Sequence, residues 1–217
     1  MSDGIKYFIG NWKMFGIPAS IKILDKINHY FKNDKKNNKK YKIIMAPPHT
    51  LLQDFSVKYK KKKILISAQN CFHKDNFGAH TGSISPFMIK KIGVNHIIIG
   101  HSENRAAGET DSVIKQKVLL ALKNNFKVIF CIGENKTERN KNTTQRVLKR
   151  QMKNALDKKY NFQKIIIAYE PIWSIGTGKT PSTYELSKNI LLIKNFIKKY
   201  YKTKIGAKIL YGGSVDK

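Results

Sequence analysis

Acidic residues are scarce in this chain: 14 Asp and Glu stand against 42 Lys and Arg in 217 residues, a formal charge of +28. Such an excess ordinarily points to a nucleic acid, but arginine is scarce as well, at four positions (Arg105, Arg139, Arg146 and Arg150). Readers of bases and phosphates favour the bidentate guanidinium fork, and no stripe of aromatic residues interleaved with arginine runs along the chain. The joint surplus of Lys, Asn and Ile matches codon bias in an AT-rich genome. The charge therefore bears on solubility and substrate steering rather than on a nucleic-acid partner. Only two cysteines occur, Cys71 and Cys131, with no C-x-x-C pair and no signal peptide before them, which excludes a disulfide framework and fits free thiols in the cytoplasm. Long apolar runs are missing too. "NHIIIG" and "KIIIAY" are far too short to cross a bilayer, so no membrane role is indicated.

With 41% apolar residues the chain can still bury a sizeable core. Short β-branched or aromatic runs recur at Tyr7 to Gly10, Lys42 to Ala46, Ile64 to Ala68, His96 to Gly100, Lys127 to Cys131, Lys164 to Tyr169 and Lys208 to Tyr211, and each reads as a strand. Helical segments lie between them. In "TDSVIKQKVLLALKNN" the residues Val113, Val118, Leu119 and Leu122 give an apolar stripe, with Lys and Asn on the other face. "YELSKNILLIKNFIKKY" follows Ser182 and Thr183 as N-cap candidates, with Glu185 available to a capping box. The Lys/Asn run at 32 to 42 reads as a solvated turn. Strand then helix, repeated, implies parallel strands joined by crossover helices, with no linker dividing the rhythm.

Two α/β folds use this rhythm, an open doubly wound sheet and a closed (β/α)8 barrel. The first predicts G-x-G-x-x-G after the first strand, where the chain has "GNWKMFG" instead. The second scatters chemistry over the C-terminal ends of several strands. Asn11 and Lys13 follow the first run, His101 the fourth, Glu170 the sixth, and "YGGS" the seventh, so the barrel is favoured. The stretch "EPIWSIGTGKT" ends like a P-loop, but Trp173 occupies the required early glycine, and Pro181 biases Thr180 away from the helix that should follow.

Glu170 is one of only six glutamates and leaves an apolar strand, a setting that desolvates a carboxylate and suits it as a general base. Lys13 supplies a fixed positive charge and His101 a hydrogen-bond donor. Together they suit proton abstraction beside a carbonyl in an anionic substrate. Gly176 to Gly178, and Gly212 and Gly213 with Ser214, offer backbone N–H groups that bind phosphate without a P-loop. A phosphorylated hydroxycarbonyl compound fits, and a base, an acid and a fixed charge require no metal or organic cofactor.

The stretches "GNWKM", "AQNCFHKDNFGAHTG", "IIIGHSENR", "CIGE", "AYEPIWSIGTGKT" and "YGGSV" resemble the triosephosphate isomerase family, in its order and at similar spacing, from residue 10 to residue 216. The resemblance implies a TIM barrel that interconverts D-glyceraldehyde 3-phosphate and dihydroxyacetone phosphate in glycolysis and gluconeogenesis. It further implies Glu170 as the base, a neutral His101 as the donor to the enediol oxygens, and a lid that closes to exclude water. Lys13 would stabilise substrate and enediolate charge with Asn11 beside it. The Gly176 N–H and Ser214 would meet the phosphate, and Glu103 and Cys131 would support the site. The lid hinges would be Pro171 to Trp173 and Lys179 to Pro181. Residues 70 to 82 would insert into a second subunit of a homodimer, with Thr81 near its active site.

Three departures from the family pattern follow. Ser174 and Pro181 stand where the lid usually has alanine. Ser83 and Asn104 replace an acid and a base, so a salt bridge in that region gives way to neutral partners. The chain stops at Lys217, so the expectation is one barrel domain over 1–217 with about seven of its eight β/α units. The other function consistent with that is an inactive isomerase descendant acting as a binding protein.

Overall fold

The computed structural model describes residues 4–33, 40–60, 62–203 and 207–213. Seven parallel strands are hydrogen-bonded in chain order, and two compact units divide the chain: 1–97 with 124–126, and 98–123 with 127–217.

The first unit holds β1 (Lys6–Asn11), β2 (Tyr41–Ala46), β3 (Ile64–Ala68) and the first half of β4 (His96–Ile99). β1 and β2 pair in parallel from Lys6↔Tyr41 to Asn11↔Ala46, so Asn11 and Ala46 end their strands side by side. Crossovers run through α1 (Ile21–Asn33), α2 (His49–Tyr59) and α3 (Pro86–Lys91). Helix α1 buries Leu24 and Phe31, seven positions apart and therefore on one face. Helix α3 starts where the chain encodes a start: Pro86 at its first turn, and the Ser85 hydroxyl accepting the Met88 N–H at 3.2 Å. The expected turn at 32 to 42 is trimmed by α1 running to Asn33 and β2 beginning at Tyr41; residues 34–39 lie outside the described residues.

The second unit holds the rest of β4, then β5 (Lys127–Ile132), β6 (Ile165–Tyr169) and β7 (Lys208–Tyr211). Val128 to Ile132 and all of β6 are buried, the unbroken apolar pattern of parallel strands covered on both faces. Its helices are α4 (Ser102–Ala106), α5 (Asp111–Lys123), α6 (Lys136–Asn140), α7 (Thr144–Ala155) and α8 (Thr183–Tyr200). Helix α8 opens with the expected capping box: the Ser182 hydroxyl accepts the Glu185 N–H at 3.2 Å, and the Glu185 carboxylate accepts the Ser182 N–H at 3.2 Å. Tyr201, just past its end, donates its hydroxyl to the Met152 carbonyl at 2.7 Å and ties α8 to α7.

Three sequence expectations shift. Gly100 has left β4 and sits at a φ of +76°, a conformation that ends the strand and turns the chain toward His101. Lys164 lies in a short 3₁₀ turn before β6 rather than in the strand. The buried face of α5 is Ile114, Lys117, Val118 and Ala121, while Leu119 is exposed. A lysine occupies that inner face because its ammonium is paired with Glu109, which satisfies a charge that burial would otherwise penalise. Among the described residues, no helix is long and apolar enough to cross a membrane.

Candidate active site

At the start of α4, the backbone N–H of Glu103 donates to His101 Nδ1 at 3.2 Å. A ring nitrogen that accepts carries no proton, so the neutral imidazole bears its hydrogen on Nε2. That atom faces the Glu170 carboxylate at 3.8 Å, and the two side chains are only 9% and 13% exposed. Glu103 thus bonds His101 through its main chain. Its carboxylate is 58% exposed and lies 3.6 Å from Nδ1.

Glu170 begins where β6 ends, with its N–H bonded to the Ile132 carbonyl at 2.8 Å. The Cys131 thiol donates to its Oε1 at 3.4 Å. Burial, reinforced by the neighbouring carboxylate, pushes that thiol well up, so it stays a neutral donor and not a nucleophile. Cys71 and Cys131 are both buried, and no disulfide joins them. Two glycines make room for Glu170. A Cβ on Gly212 would lie 2.8 Å from Glu170 Cγ, and one on Gly133 would lie 1.7 Å from the Glu170 carbonyl oxygen. Gln151 pins Gly133 on both sides, accepting its N–H at 2.9 Å and donating to its carbonyl at 3.0 Å.

Past Glu170, Pro171 leads into a single 3₁₀ turn, Ile172–Ser174. Ser174, expected as a mild departure from alanine, is fully buried and donates to the Pro171 carbonyl at 2.8 Å. Gly176 and Gly178 then take φ values of +69° and +68° in an exposed segment ending at Thr180. This turn is anchored through Trp173. Its indole N–H donates to Glu134 at 2.9 Å, and the Arg139 guanidinium lies 3.8 Å from the ring centroid. Arg139 in turn pairs with Glu185 at 2.8 Å, and Tyr169 donates its hydroxyl to Glu134 at 3.2 Å. These residues, with Pro181, line an open cavity of about 430 Å³.

In the first unit, Asn11 ends β1 and its Oδ1 accepts the Lys13 N–H at 3.0 Å. Lys13 has a φ of +52°. The Gln69 amide, just past β3, donates to the Lys13 carbonyl at 2.8 Å. Ser214 lies outside the described residues. The structure thus brings His101, Glu103, Cys131 and Glu170 together in one unit and Asn11 and Lys13 together in the other. Sequence reasoning gave no role to Glu134, Gln151 or Gln69. Glu134 had a signal, as a rare glutamate ending "CIGE"; Gln151 had a weaker one, as a polar residue within the apolar face of α7 formed by Val147, Leu148 and Met152. Among the described residues, no cluster of three or more His, Cys, Asp or Glu side chains is placed to hold a metal ion.

Parallel strands with crossover helices, a carboxylate at one strand end facing a neutral imidazole at another, and a glycine-bearing segment after the carboxylate define a (β/α)-barrel isomerase that moves a proton. A family profile described as Triosephosphate isomerase matches residues 6–217. Triosephosphate isomerase from Caldanaerobacter subterraneus subsp. tengcongensis is 38% identical over 95% of this chain and 83% of that relative. The enzyme of the same description from Bradyrhizobium diazoefficiens is 37% identical over 99% and 85%. The crystal structure of triosephosphate isomerase from Bartonella henselae superimposes with a TM-score of 0.84 at 32% identity, over 96% of this chain and 83% of that one. The chain belongs to the triosephosphate isomerase family, and its fold is that family's TIM barrel, represented by seven strands among the described residues.

Proposed function

We propose that this chain interconverts D-glyceraldehyde 3-phosphate and dihydroxyacetone phosphate through an enediol or enediolate, in the cytoplasm, with 1–217 forming one barrel domain. The observation that carries this reading is the Nε2 of His101 facing the Glu170 carboxylate at 3.8 Å. Glu170 takes the proton from C1 or C2 and returns it to the other carbon. His101, neutral and protonated on Nε2, donates to whichever oxygen becomes negative. A neutral donor suits both directions, because it can give and regain a proton without first shedding a charge. The Cys131 thiol, donating to Glu170 Oε1, orients the base.

Lys13 holds the charge of substrate and enediolate, with Asn11 fixing its turn. The Gly176 N–H and Ser214 take the phosphate. Closure of residues 174–178 excludes water, which would otherwise let the enediol phosphate expel its phosphate. The intact pairing of base and donor speaks against a purely binding role. Partners are the phosphorylated triose and a second copy of the chain, with residues 70–82 at the contact. Met14, Phe15, Ile17 and Phe77 of the first unit are exposed by 95%, 74%, 65% and 79%, an apolar surface suited to burial in a dimer. No nucleic acid and no membrane enters the reading.

Assay of the purified chain for triose-phosphate interconversion, beside Glu170→Gln, tests it. Turnover in the parent that falls by at least about 100-fold in the variant is expected. An inactive, folded parent, or a variant as fast as the parent, would overturn it.

A further inference from the structure

The position of Lys13 is set by its main chain, which is held in an unfavourable conformation. At a φ of +52° a residue with a Cβ crowds its own carbonyl, and lysine has no local hydrogen bond to offset that, as asparagine has. Two amide side chains hold it there. Asn11 accepts the Lys13 N–H at 3.0 Å. Gln69 acts on the other side of the same residue: its single Nε2 donates to the Lys13 carbonyl at 2.8 Å and to the Ala46 carbonyl at 2.8 Å. The Ala46 carbonyl also accepts the Trp12 N–H at 3.0 Å. One planar nitrogen with two hydrogens thus joins the chain just past β1, the end of β2 and the start of the loop after β3.

The geometry points to Gln69 as a positioning residue for the reaction, one that fixes the Lys13 ammonium by bolting its backbone to β2. This rests on the reading of Lys13 as the group that holds substrate charge. The chemistry required at 69 is narrow. Two N–H donors must come from one atom at the reach of two methylenes. Glutamate has no donor when ionised, asparagine is a methylene short, and methionine fills the space without donating. Because Gln69 bonds Lys13 at its carbonyl, it acts on where the ammonium lies and not on its charge.

The test is a double-mutant cycle read in kcat, in KM for glyceraldehyde 3-phosphate, and in the inhibition constant of inorganic phosphate. Gln69→Met and Gln69→Asn are each combined with Lys13→Ala, and melting temperatures are recorded for all. In the Lys13 background, Gln69→Met is expected to lower kcat/KM by about 10–100-fold, chiefly by raising KM, and to weaken phosphate inhibition in parallel. Gln69→Asn, which keeps an amide, provides the same readout should Gln69→Met fail to fold. In the Lys13→Ala background neither change should weaken phosphate inhibition further. Equal losses in both backgrounds, or losses in kcat alone, would make Gln69 a structural residue and overturn the proposal. Lys13→Ala that leaves KM and phosphate inhibition intact would instead sink the reading of Lys13, and the proposal with it, while Glu170→Gln continues to report separately on the isomerase reading.

Discussion

The buried carboxylate of Glu134 receives the indole N–H of Trp173 at 2.9 Å and the Tyr169 hydroxyl at 3.2 Å, joining the chain just past β5, the end of β6 and the 3₁₀ turn after Glu170. Burial is the largest influence on this carboxyl and pushes it up, ahead of the opposing hydrogen bonds from Trp173 and Tyr169. A carboxyl raised on folding contributes its full stability below the unfolded glutamate value and loses it as pH rises through the folded value. Glu134→Gln keeps an acceptor for the indole and removes the charge. Its melting temperature should therefore gain on the parent's as pH rises from about 4 to about 7. Glu134→Leu strands two buried donors and should be destabilised by about 1–3 kcal/mol. Melting curves of all three proteins across that range decide it; a parent-to-Gln gap independent of pH would refute the account.

Gly212 and Gly133 both border Glu170, and their substitutions should separate catalysis from stability. An alanine Cβ at 212 meets the flexible Glu170 Cγ at 2.8 Å, so the carboxylate is displaced while the fold persists. Gly212→Ala should lose about 100-fold in kcat with a small change in melting temperature. An alanine Cβ at 133 meets a main-chain carbonyl at 1.7 Å, which cannot swing aside, and the Gln151 clamp on that peptide would have to break with it. Gly133→Ala should be destabilised by more than about 3 kcal/mol, or fail to fold. Kinetics and thermal melts of the pair check this, and a Gly212→Ala enzyme with unchanged kcat would contradict it.

The strands were legible because parallel strands covered on both faces must be apolar throughout, and runs such as "IIIAY" cannot be much else. Glu170, His101 and the glycine-bearing segment after Glu170 were legible as candidates because they fall at strand ends, where a polar residue after an apolar run stands out. What holds them was not. Gln151 and Gln69 act through main-chain groups 18 and 56 positions away, and no local pattern marks such a partner. Lys117 misled for a related reason: periodicity placed lysine on the solvent face of α5, whereas its pairing with Glu109 brings it inside.

That pair gives a further prediction. Lys117 and Glu109 have side chains only 7% and 9% exposed, so removing one partner leaves a buried charge. Lys117→Met should lower stability by about 3–5 kcal/mol. The double variant Lys117→Met with Glu109→Gln removes both charges and should recover most of that loss. Denaturant unfolding of the parent, the two single variants and the double variant provides the comparison. Additive losses would show that the two charges do not compensate each other.

The charge of +28 is expected to act on association and to leave the chemical step alone. A phosphorylated triose is an anion, and a protein with three times as many basic as acidic residues surrounds itself with an attractive potential that speeds encounter. Salt shortens the reach of that potential from about 30 Å at 0.01 M to about 8 Å at 0.15 M. In the proposed reaction the ammonium of Lys13 and the carboxylate of Glu170 act at contact distances, where screening is weak. Raising ionic strength over that range should therefore lower kcat/KM severalfold and leave kcat nearly constant. Competition of chloride for the proposed phosphate site is the alternative, so the series is repeated with salts of different anions at matched ionic strength. Steering predicts the same curve for each, whereas competition predicts curves ordered by anion, and a kcat/KM indifferent to salt would show that the positive surface has no part in substrate capture.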